Sequence, residues 1–291
     1  EKIFDSISHF PCELENSQHL KQHFVGITIE ANFPIFDPEA AHLFDFRIAH
    51  TTACEFMYVL PTSDRIALFE HTYFSGQLKE KQHYLDQIKA EMRVEWPKNR
   101  TINLVFHGHS VPAGYFKTPI VNTLASYPYI VLEQIKSKYP YTVVNIINTS
   151  IGGENSESGE KRFDSQVLNH TPDVVFIDYA LNDRRIGLVR AKIAWEKMIR
   201  AALDKNIKVI LLTPSPDQTV DIKDDQTILD QHARQIIQLS KYFNVGLIDT
   251  YAIFKNATKQ GVALVDLMSQ VNHPNANGHH LIADEIMKYF K

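Results

Sequence analysis

Hydrophobic and polar positions follow two different rhythms on either side of about residue 97. Before that point, short apolar or alternating runs are separated by polar turn residues, a pattern typical of an antiparallel meander. The predicted strands are residues 24–29, 43–48, 56–60 and 66–69. Apolar positions between residues 78 and 92 recur at helical spacing, so a helix is expected to close this first half.

After residue 97, near-continuous apolar runs rich in β-branched residues alternate with helical patterns. The runs lie at 102–106, 143–147, 174–177, 209–212 and 245–248, and the helical patterns at about 121–138, 189–204 and 227–242. Continuous apolar runs suit strands buried on both faces, and their alternation with helices favours a parallel sheet. We therefore predict an α/β fold: a doubly wound parallel sheet over residues 97–291, preceded by a smaller antiparallel β plus helix segment over residues 1–96.

Composition and charge exclude several classes of protein. Hydrophobic residues at 44% and charged residues at 22% are ordinary for a globular domain, and no apolar run has the length of a membrane span. The net charge of −4, with scattered Lys and Arg, disfavours nucleic acid as a partner. Cys12 and Cys54 lack metal-type spacing and indicate no disulfide framework. Residues 1–5 lack a secretory signal pattern, which favours the cytoplasm.

The first apolar run of the second half ends in the turn Gly108-His109-Ser110. A strand that delivers a serine into a glycine turn is how several hydrolases expose a nucleophile, although Gly and Ser are ordinary turn residues. Later strand ends and the last loop carry further polar residues, namely Gly152, Gly153, Asn182, Asp183 and His273. Serine chemistry needs a base and preorganised N–H donors, and these residue types supply both.

The polar residues lie in four sequence blocks, which are VFHGHSVPAG at 105–114, NTSIGGENS at 148–156, DYALND at 178–183 and NHPNANGH at 272–279. In this order, the four blocks resemble those of the SGNH or GDSL-type hydrolase superfamily, and the resemblance covers about residues 99–291. The resemblance implies that Ser110 is the nucleophile and His273 the general base. It further implies an oxyanion hole formed by the backbone N–H groups of Ser110 and Gly153 and the side-chain amide of Asn182.

Three positions depart from the pattern of that superfamily. His109 stands where Asp is usual, Ala180 replaces a Gly, and Gln270 occupies the position of the acid three residues before the histidine. A neutral amide can orient an imidazole but cannot stabilise an imidazolium as a carboxylate does. Two arrangements stay open: a Ser–His dyad, which we favour, and a triad completed by another carboxylate such as Asp266. His107 and His109 alternate as metal ligands do, but a third ligand is missing, so neither a metal nor a cofactor is expected.

The segment from about residue 4 to residue 92 resembles part of the proteins of the lycopene cyclase family, which are flavoproteins. The similar segments are 22–26, 34–38, 43–47, 56–61 and 67–72. In that family the region belongs to a substrate-facing β-sheet, and Glu70 falls at a position associated with acid chemistry on the polyene. Because the chain lacks the Gly-x-Gly-x-x-Gly fingerprint of a flavin-binding unit, we favour a structural appendage over a retained isoprenoid cleft.

The sequence thus predicts a serine esterase that hydrolyses an O-acyl ester through an acyl-enzyme on Ser110, without a cofactor. The expected substrate is a small-molecule or carbohydrate ester, with an O-acetyl carbohydrate as the candidate. Two alternatives stay open. One is a carotenoid- or isoprenoid-related protein, suggested by the first half. The other is a catalytically weak binding protein that kept the fold, suggested by Gln270 and Ala180.

Overall fold

The computed structural model describes residues 21–45, 54–75 and 85–291. The chain divides into two compact units, Glu1–Lys79 and Glu80–Lys291. This division precedes the predicted boundary at residues 96 and 97. The reason is that helix α1 (Asp86–Met92) buries Ile88 and Met92 in the hydrophobic core of the second unit.

The first unit contains a four-stranded antiparallel sheet, which confirms the predicted β character of this part. Its strands are β1 (Lys21–Glu30), β2 (His42–Asp45), β3 (Cys54–Pro61) and β4 (Ile66–Ser75), in the order β1-β4-β3-β2. A short turn joins β3 to β4, where the hydroxyl of Ser63 accepts hydrogen bonds from the N–H groups of Arg65 and Ile66. Of the helix predicted at 78–92, α1 is observed, and residues 76–84 lie outside the described ranges.

The second unit is built on a five-stranded parallel sheet, as predicted. Its strands are β5 (Thr101–Gly108), β6 (Val143–Asn148), β7 (Val174–Asp178), β8 (Lys208–Leu212) and β9 (Gly246–Ile248), in the order β6-β5-β7-β8-β9. The chain passes from β5 to β6 on one side and then crosses to β7 on the other. Such a reversal opens a crevice at the carboxyl ends of the strands, where ligands bind in sheets of this kind.

Helices cover both faces of the parallel sheet. They are α1, α2 (Ser110–Ala113), α3 (Tyr127–Lys138), α4 (Ser156–Lys161), α5 (Phe163–Gln166), α6 (Ala180–Asp183), α7 (Gly187–Leu203), α8 (Ile228–Phe243), α9 (Thr250–Lys259) and α10 (Ala276–Met287). Short 3-10 turns lie at Thr123–Ala125, Leu168–His170, Leu264–Leu267 and Lys288–Phe290. A small antiparallel pair, β10 (Met268–Gln270) and β11 (His273–Pro274), precedes α10.

Two hydrophobic clusters, one on each face, explain why the strands read as continuous apolar runs. On β5, Leu104 and Phe106 pack into the cluster that includes α3 and α10, whereas Val105 packs into the cluster that includes α7. Both side-chain directions of the strand are therefore buried, which removes the polar alternation of a one-sided sheet. None of the helices in the described ranges has the length and apolar character needed to cross a bilayer.

Candidate active site

The turn that carries Ser110 is fixed by a close approach of β5 and β7. A Cβ atom on Gly108 would lie 2.5 Å from the carbonyl oxygen of Asp178, so this position requires glycine. The N–H of His109 donates to the same carbonyl oxygen at 3.1 Å. Ser110 follows at once as the first residue of α2, with its side chain buried at the carboxyl edge of the sheet.

The hydroxyl of Ser110 contacts a histidine from the far end of the chain. The Nε2 atom of His273, on β11, lies 2.9 Å from Oγ of Ser110. Burial lowers the pKa of His273 below its ordinary value, although a hydrogen bond to the carbonyl of Phe116 counteracts this effect. A neutral imidazole at this distance is suited to accept the proton of the serine near pH 7.

The other ring nitrogen of His273 faces the backbone. Its Nδ1 atom lies 3.2 Å from the carbonyl oxygen of Phe116. The side chain of Gln270 accepts a hydrogen bond from the N–H of Thr118 at 2.9 Å. The backbone carbonyl of Asp266 accepts from the amide of Asn275 at 2.8 Å. Within the described ranges, no hydrogen bond or ion pair joins the carboxylate of Asp266 or the amide of Gln270 to His273.

The glycine block forms a loop beside the nucleophile turn. Gly153 has φ +79°, in the left-handed region, and a Cβ there would meet nothing within 4 Å, so its backbone conformation rather than lack of space favours glycine. The N–H of Ile151 donates to the carbonyl of Gly108 at 3.0 Å, which ties the loop to β5. Asn182, on α6, donates its amide to the carbonyl of Glu154 at 2.9 Å. The fold therefore brings Ser110, Gly153 and Asn182 to one edge of the sheet.

A buried polar network, which the sequence analysis missed, supports this loop. The carboxylate of Glu154 accepts hydrogen bonds from Nε of Arg162 at 2.9 Å and from the hydroxyl of Tyr179 at 2.8 Å. Nε2 of His107 lies 3.1 Å from the hydroxyl of Tyr179 and 3.1 Å from the carbonyl of Gly159. Burial lowers the pKa of His107 to about 3, so this histidine is a neutral member of the network. The only signal in the sequence was that His107, Glu154 and Tyr179 lie inside the matching blocks.

Asp183 holds elements together behind the site. Its carboxylate accepts hydrogen bonds from the N–H of Ser156 at 2.8 Å and from the indole N–H of Trp195 at 2.6 Å. These bonds join α6 to α4 and α7. Burial raises the pKa of Asp183 to about 6.

His109, the residue before the nucleophile, lies beneath the turn. Its Nδ1 atom accepts a hydrogen bond from the N–H of Val111 at 3.2 Å, which caps α2. Its Nε2 atom lies 3.3 Å from Oδ1 of Asp178. The two alternating histidines have separate partners, since His107 contacts Thr149, Tyr179 and Gly159.

Two family models match the chain in different parts. The model described as the GDSL-like lipase/acylhydrolase family matches residues 106–281, which is more than half of the chain and includes Ser110, Gly153, Asn182 and His273. The model described as lycopene cyclase protein matches residues 3–96. Both matches confirm the resemblances deduced from the sequence motifs. No curated protein sequence matches the chain.

Solved structures with a similar fold include carbohydrate esterases. An acetylxylan esterase from Geobacillus stearothermophilus has 21% sequence identity and a TM-score of 0.54, and the similarity covers 65% of this chain and 94% of that one. A catalytic mutant of an acetylxylan esterase from that organism has 20% sequence identity and a TM-score of 0.58. This similarity covers 68% of this chain and 96% of the mutant. A two-domain esterase active on acetylated mannans has 20% sequence identity and a TM-score of 0.58. This similarity covers 72% of this chain and 52% of that esterase. At identities this low, the similarities show a shared fold alone.

Proposed function

The chain belongs to the GDSL-like lipase/acylhydrolase family, and we propose that it is a serine esterase that removes O-acetyl groups from a carbohydrate. The proposed nucleophile is Ser110. The observation that carries the proposal is the 2.9 Å contact between Oγ of Ser110 and Nε2 of His273. A serine is a weak nucleophile until a base removes its proton, and this contact supplies the base.

The proposed reaction has two halves. Oγ of Ser110 attacks the carbonyl carbon of the ester as its proton moves to Nε2 of His273, and the carbonyl electron pair moves onto the oxygen. The N–H groups of Ser110 and Gly153 and the amide of Asn182 are the proposed donors to this oxyanion. Collapse breaks the bond to the alcohol, which leaves with the proton from His273. Water then attacks the acyl-enzyme, gives a proton to His273, and the acid departs as Ser110 regains its proton.

A short acyl group is favoured by an aromatic side chain beside the site. The ring of Tyr115 packs so closely on the glycine loop that a Cβ on Gly152 would lie 3.0 Å from its Cε2 atom. The centroid of the same ring lies 6.3 Å from that of His273. In this proposal the ring, which lies next to the base, leaves room for a short acyl group and not for a long chain. The esterases of similar fold that act on acetylated xylan or mannan support acetyl carbohydrates as the substrate class.

Covalent labelling with a fluorophosphonate tests the nucleophile, and hydrolysis tests the substrate. We expect peptide mapping to place the probe on Ser110, and acetate to be released from acetylated xylo- or manno-oligosaccharides. Nitrophenyl esters of increasing chain length should be cleaved with a sharp preference for acetate, and Ser110→Ala should abolish cleavage. Absence of labelling in the folded protein would favour a binding protein that kept the fold. Labelling of Ser110 without acetate release would retain the esterase and reject the carbohydrate.

The match of residues 3–96 to the lycopene cyclase model favours a second candidate, an isoprenoid-related role for the first unit. This candidate is separate from the chemistry of Ser110, and a flavin absorbance spectrum in the purified protein would support it. We favour the structural appendage, because no Gly-x-Gly-x-x-Gly fingerprint occurs anywhere in the chain.

A further inference from the structure

The residue that precedes the nucleophile, His109, has an unusual buried partner. The imidazole is fully buried, and its Nδ1 atom accepts the N–H of Val111 at 3.2 Å. A neutral imidazole that accepts at Nδ1 carries its proton on Nε2. This Nε2 atom lies 3.3 Å from Oδ1 of Asp178. In the described ranges neither atom makes a hydrogen bond, to the other or to a third group, so the contact between them is one of charge and distance. Because both are shut off from water, each is the available polar partner of the other.

Asp178 is itself held in place from the other side. Its Oδ2 atom accepts a hydrogen bond from the hydroxyl of Tyr127, on α3, at 3.0 Å. Burial, reinforced by the nearby carboxylate, raises the pKa of Tyr127 well above its ordinary value, so this hydroxyl stays a donor. Asp178 ends β7 directly opposite Gly108 of the nucleophile turn. The carboxylate is therefore fixed between α3 and the turn.

We propose that His109 and Asp178 form an imidazole–carboxylate pair that positions Ser110 from beneath. In the same proposal, Asp178 supplies the site with the negative charge that the backbone carbonyl behind His273 lacks. The inference rests on the proposed function, since it gives the pair a role only if Ser110 is the nucleophile.

His109 is a positioning residue and not a second base. Its Nδ1 atom lies 3.5 Å from Oγ of Ser110, whereas Nε2 of His273 lies at 2.9 Å. The Nδ1 lone pair is also already engaged by the N–H of Val111. His273→Ala should therefore lose esterase activity even though a second imidazole remains beside the serine.

The surroundings leave the charge of Asp178 uncompensated by a cation. Tyr127 stays protonated, and His279, which accepts the N–H of Tyr127 at 3.1 Å, is neutral because burial lowers its pKa to about 3. Asp183, on α6, is a further acidic group near His109. No lysine or arginine forms an ion pair with Asp178 in the described part of the chain. In the proposal, this carboxylate stabilises the imidazolium that forms on His273, across one imidazole and one serine, and opposes His109, whose own charge would lower the pKa of His273.

The test uses the full chain with four variants. His109→Asn places an amide oxygen where Nδ1 was, so it keeps the acceptor for Val111 but removes the contact with Asp178. Asp178→Asn keeps the size of the side chain and removes the charge. The double variant completes a cycle. Asp249→Asn is the matched control, because Asp249 also follows a parallel strand but caps α9 after β9, two strands away from β7.

Two rates are measured: labelling of Ser110 by a fluorophosphonate and hydrolysis of nitrophenyl acetate between about pH 5 and 9. We expect both single variants to lower the labelling rate about tenfold, equal to about 1.4 kcal/mol, and the double variant to lower it no further. The acid limb of kcat/KM in Asp178→Asn should move to lower pH by about half a unit. Asp183 also titrates in this range, because burial raises its pKa to about 6, so each profile is compared with that of the unmutated protein. Asp249→Asn should match that protein in every rate.

The outcomes separate this inference from the proposed function. If the unmutated protein is not labelled at Ser110, the proposed function fails and the inference with it. If it is labelled, while the folded single variants react at the same rate or their losses multiply in the double variant, only the inference fails. A purely structural role would lower the melting temperature without moving the acid limb, and this result also rejects the proposal. If Asp178→Asn does not fold, the labelling rate of His109→Asn decides the question.

Discussion

The Nδ1 atom of His273 lies 3.2 Å from the backbone carbonyl oxygen of Phe116. A carbonyl oxygen can fix the tautomer and the orientation of an imidazole, but it carries no charge to stabilise the imidazolium. Gln270, at the position where related hydrolases have an acid, bonds instead to Thr118 in the loop that contains Phe116. This geometry favours the proposed dyad, in which we expect Gln270 to act indirectly by holding that loop.

A comparison of Gln270→Ala with Asp266→Ala tests this arrangement. Gln270→Ala should lower kcat for nitrophenyl acetate by about tenfold or less, because one hydrogen bond that positions the Phe116 loop is lost. Asp266→Ala should leave kcat unchanged, because the contact made by Asp266 in this region comes from its backbone carbonyl. A large loss in Asp266→Ala alone would replace the dyad with a triad.

Gly153 and Gly187 form a matched pair for testing the oxyanion loop. Their φ angles are +79° and +78°, and a Cβ on either would meet nothing within 4 Å. Substitution by Ala should therefore cost about 1–2 kcal/mol of unfolding free energy at each position, from backbone strain alone. Only Gly153→Ala should also lower kcat, since it displaces an N–H proposed to stabilise the oxyanion. Urea unfolding and esterase kinetics measure both effects, and equal kcat values in the two variants would remove Gly153 from the mechanism.

The pH profile of hydrolysis follows from the environment of His273. Burial lowers the pKa of this histidine, so it stays neutral, and able to act as a base, at pH values where an exposed histidine is already protonated. The acid limb of kcat/KM should therefore lie below about pH 6.5. A profile of the free enzyme measured with nitrophenyl acetate checks this, and an acid limb above that value would contradict the buried, neutral base.

Stability should fall as the pH is lowered through the ordinary histidine range. Burial lowers the pKa of His107 and His279 to about 3 and that of His232 to about 4. Below about pH 6.5, the ordinary histidine pKa, these three histidines bind protons in the unfolded chain but stay neutral in the folded chain. Lowering the pH therefore favours unfolding. Asp183 acts in the opposite sense, because burial raises its pKa to about 6, and protonation therefore favours its folded form below that pH. Three imidazoles outweigh one carboxyl group, so the net effect is destabilising.

Urea unfolding measures the effect directly. The unfolding free energy at about pH 5 should be lower than at about pH 7.5, with a slope of at most about 1.4 kcal/mol per pH unit for each histidine. His232→Asn should reduce the slope while Asp249→Asn leaves it unchanged. A free energy independent of pH across this range would contradict the buried neutral histidines.

Much of the fold was predictable because burial on two faces leaves a strong pattern. Residues 102–106 and 174–177 read as continuous apolar runs since helices cover both sides of β5 and β7. The division between the units was less visible. The apolar residues of α1 suit any hydrophobic surface, and only packing assigns Ile88 and Met92 to the core of the second unit.

The strand–helix alternation of the second unit can be predicted from the pattern of apolar residues, and so can the order of Ser110, Gly153, Asn182 and His273 at its strand ends and last loop. The partners of these residues become visible only in the folded chain. The carbonyl of Phe116 stands behind His273, and the carboxylate of Asp178 faces His109 beneath the nucleophile. This difference arises because the periodicity of apolar residues depends only on which side of a helix or strand is buried. A contact between side chains far apart in the chain depends on how the elements dock, and a backbone carbonyl leaves no residue signature at all.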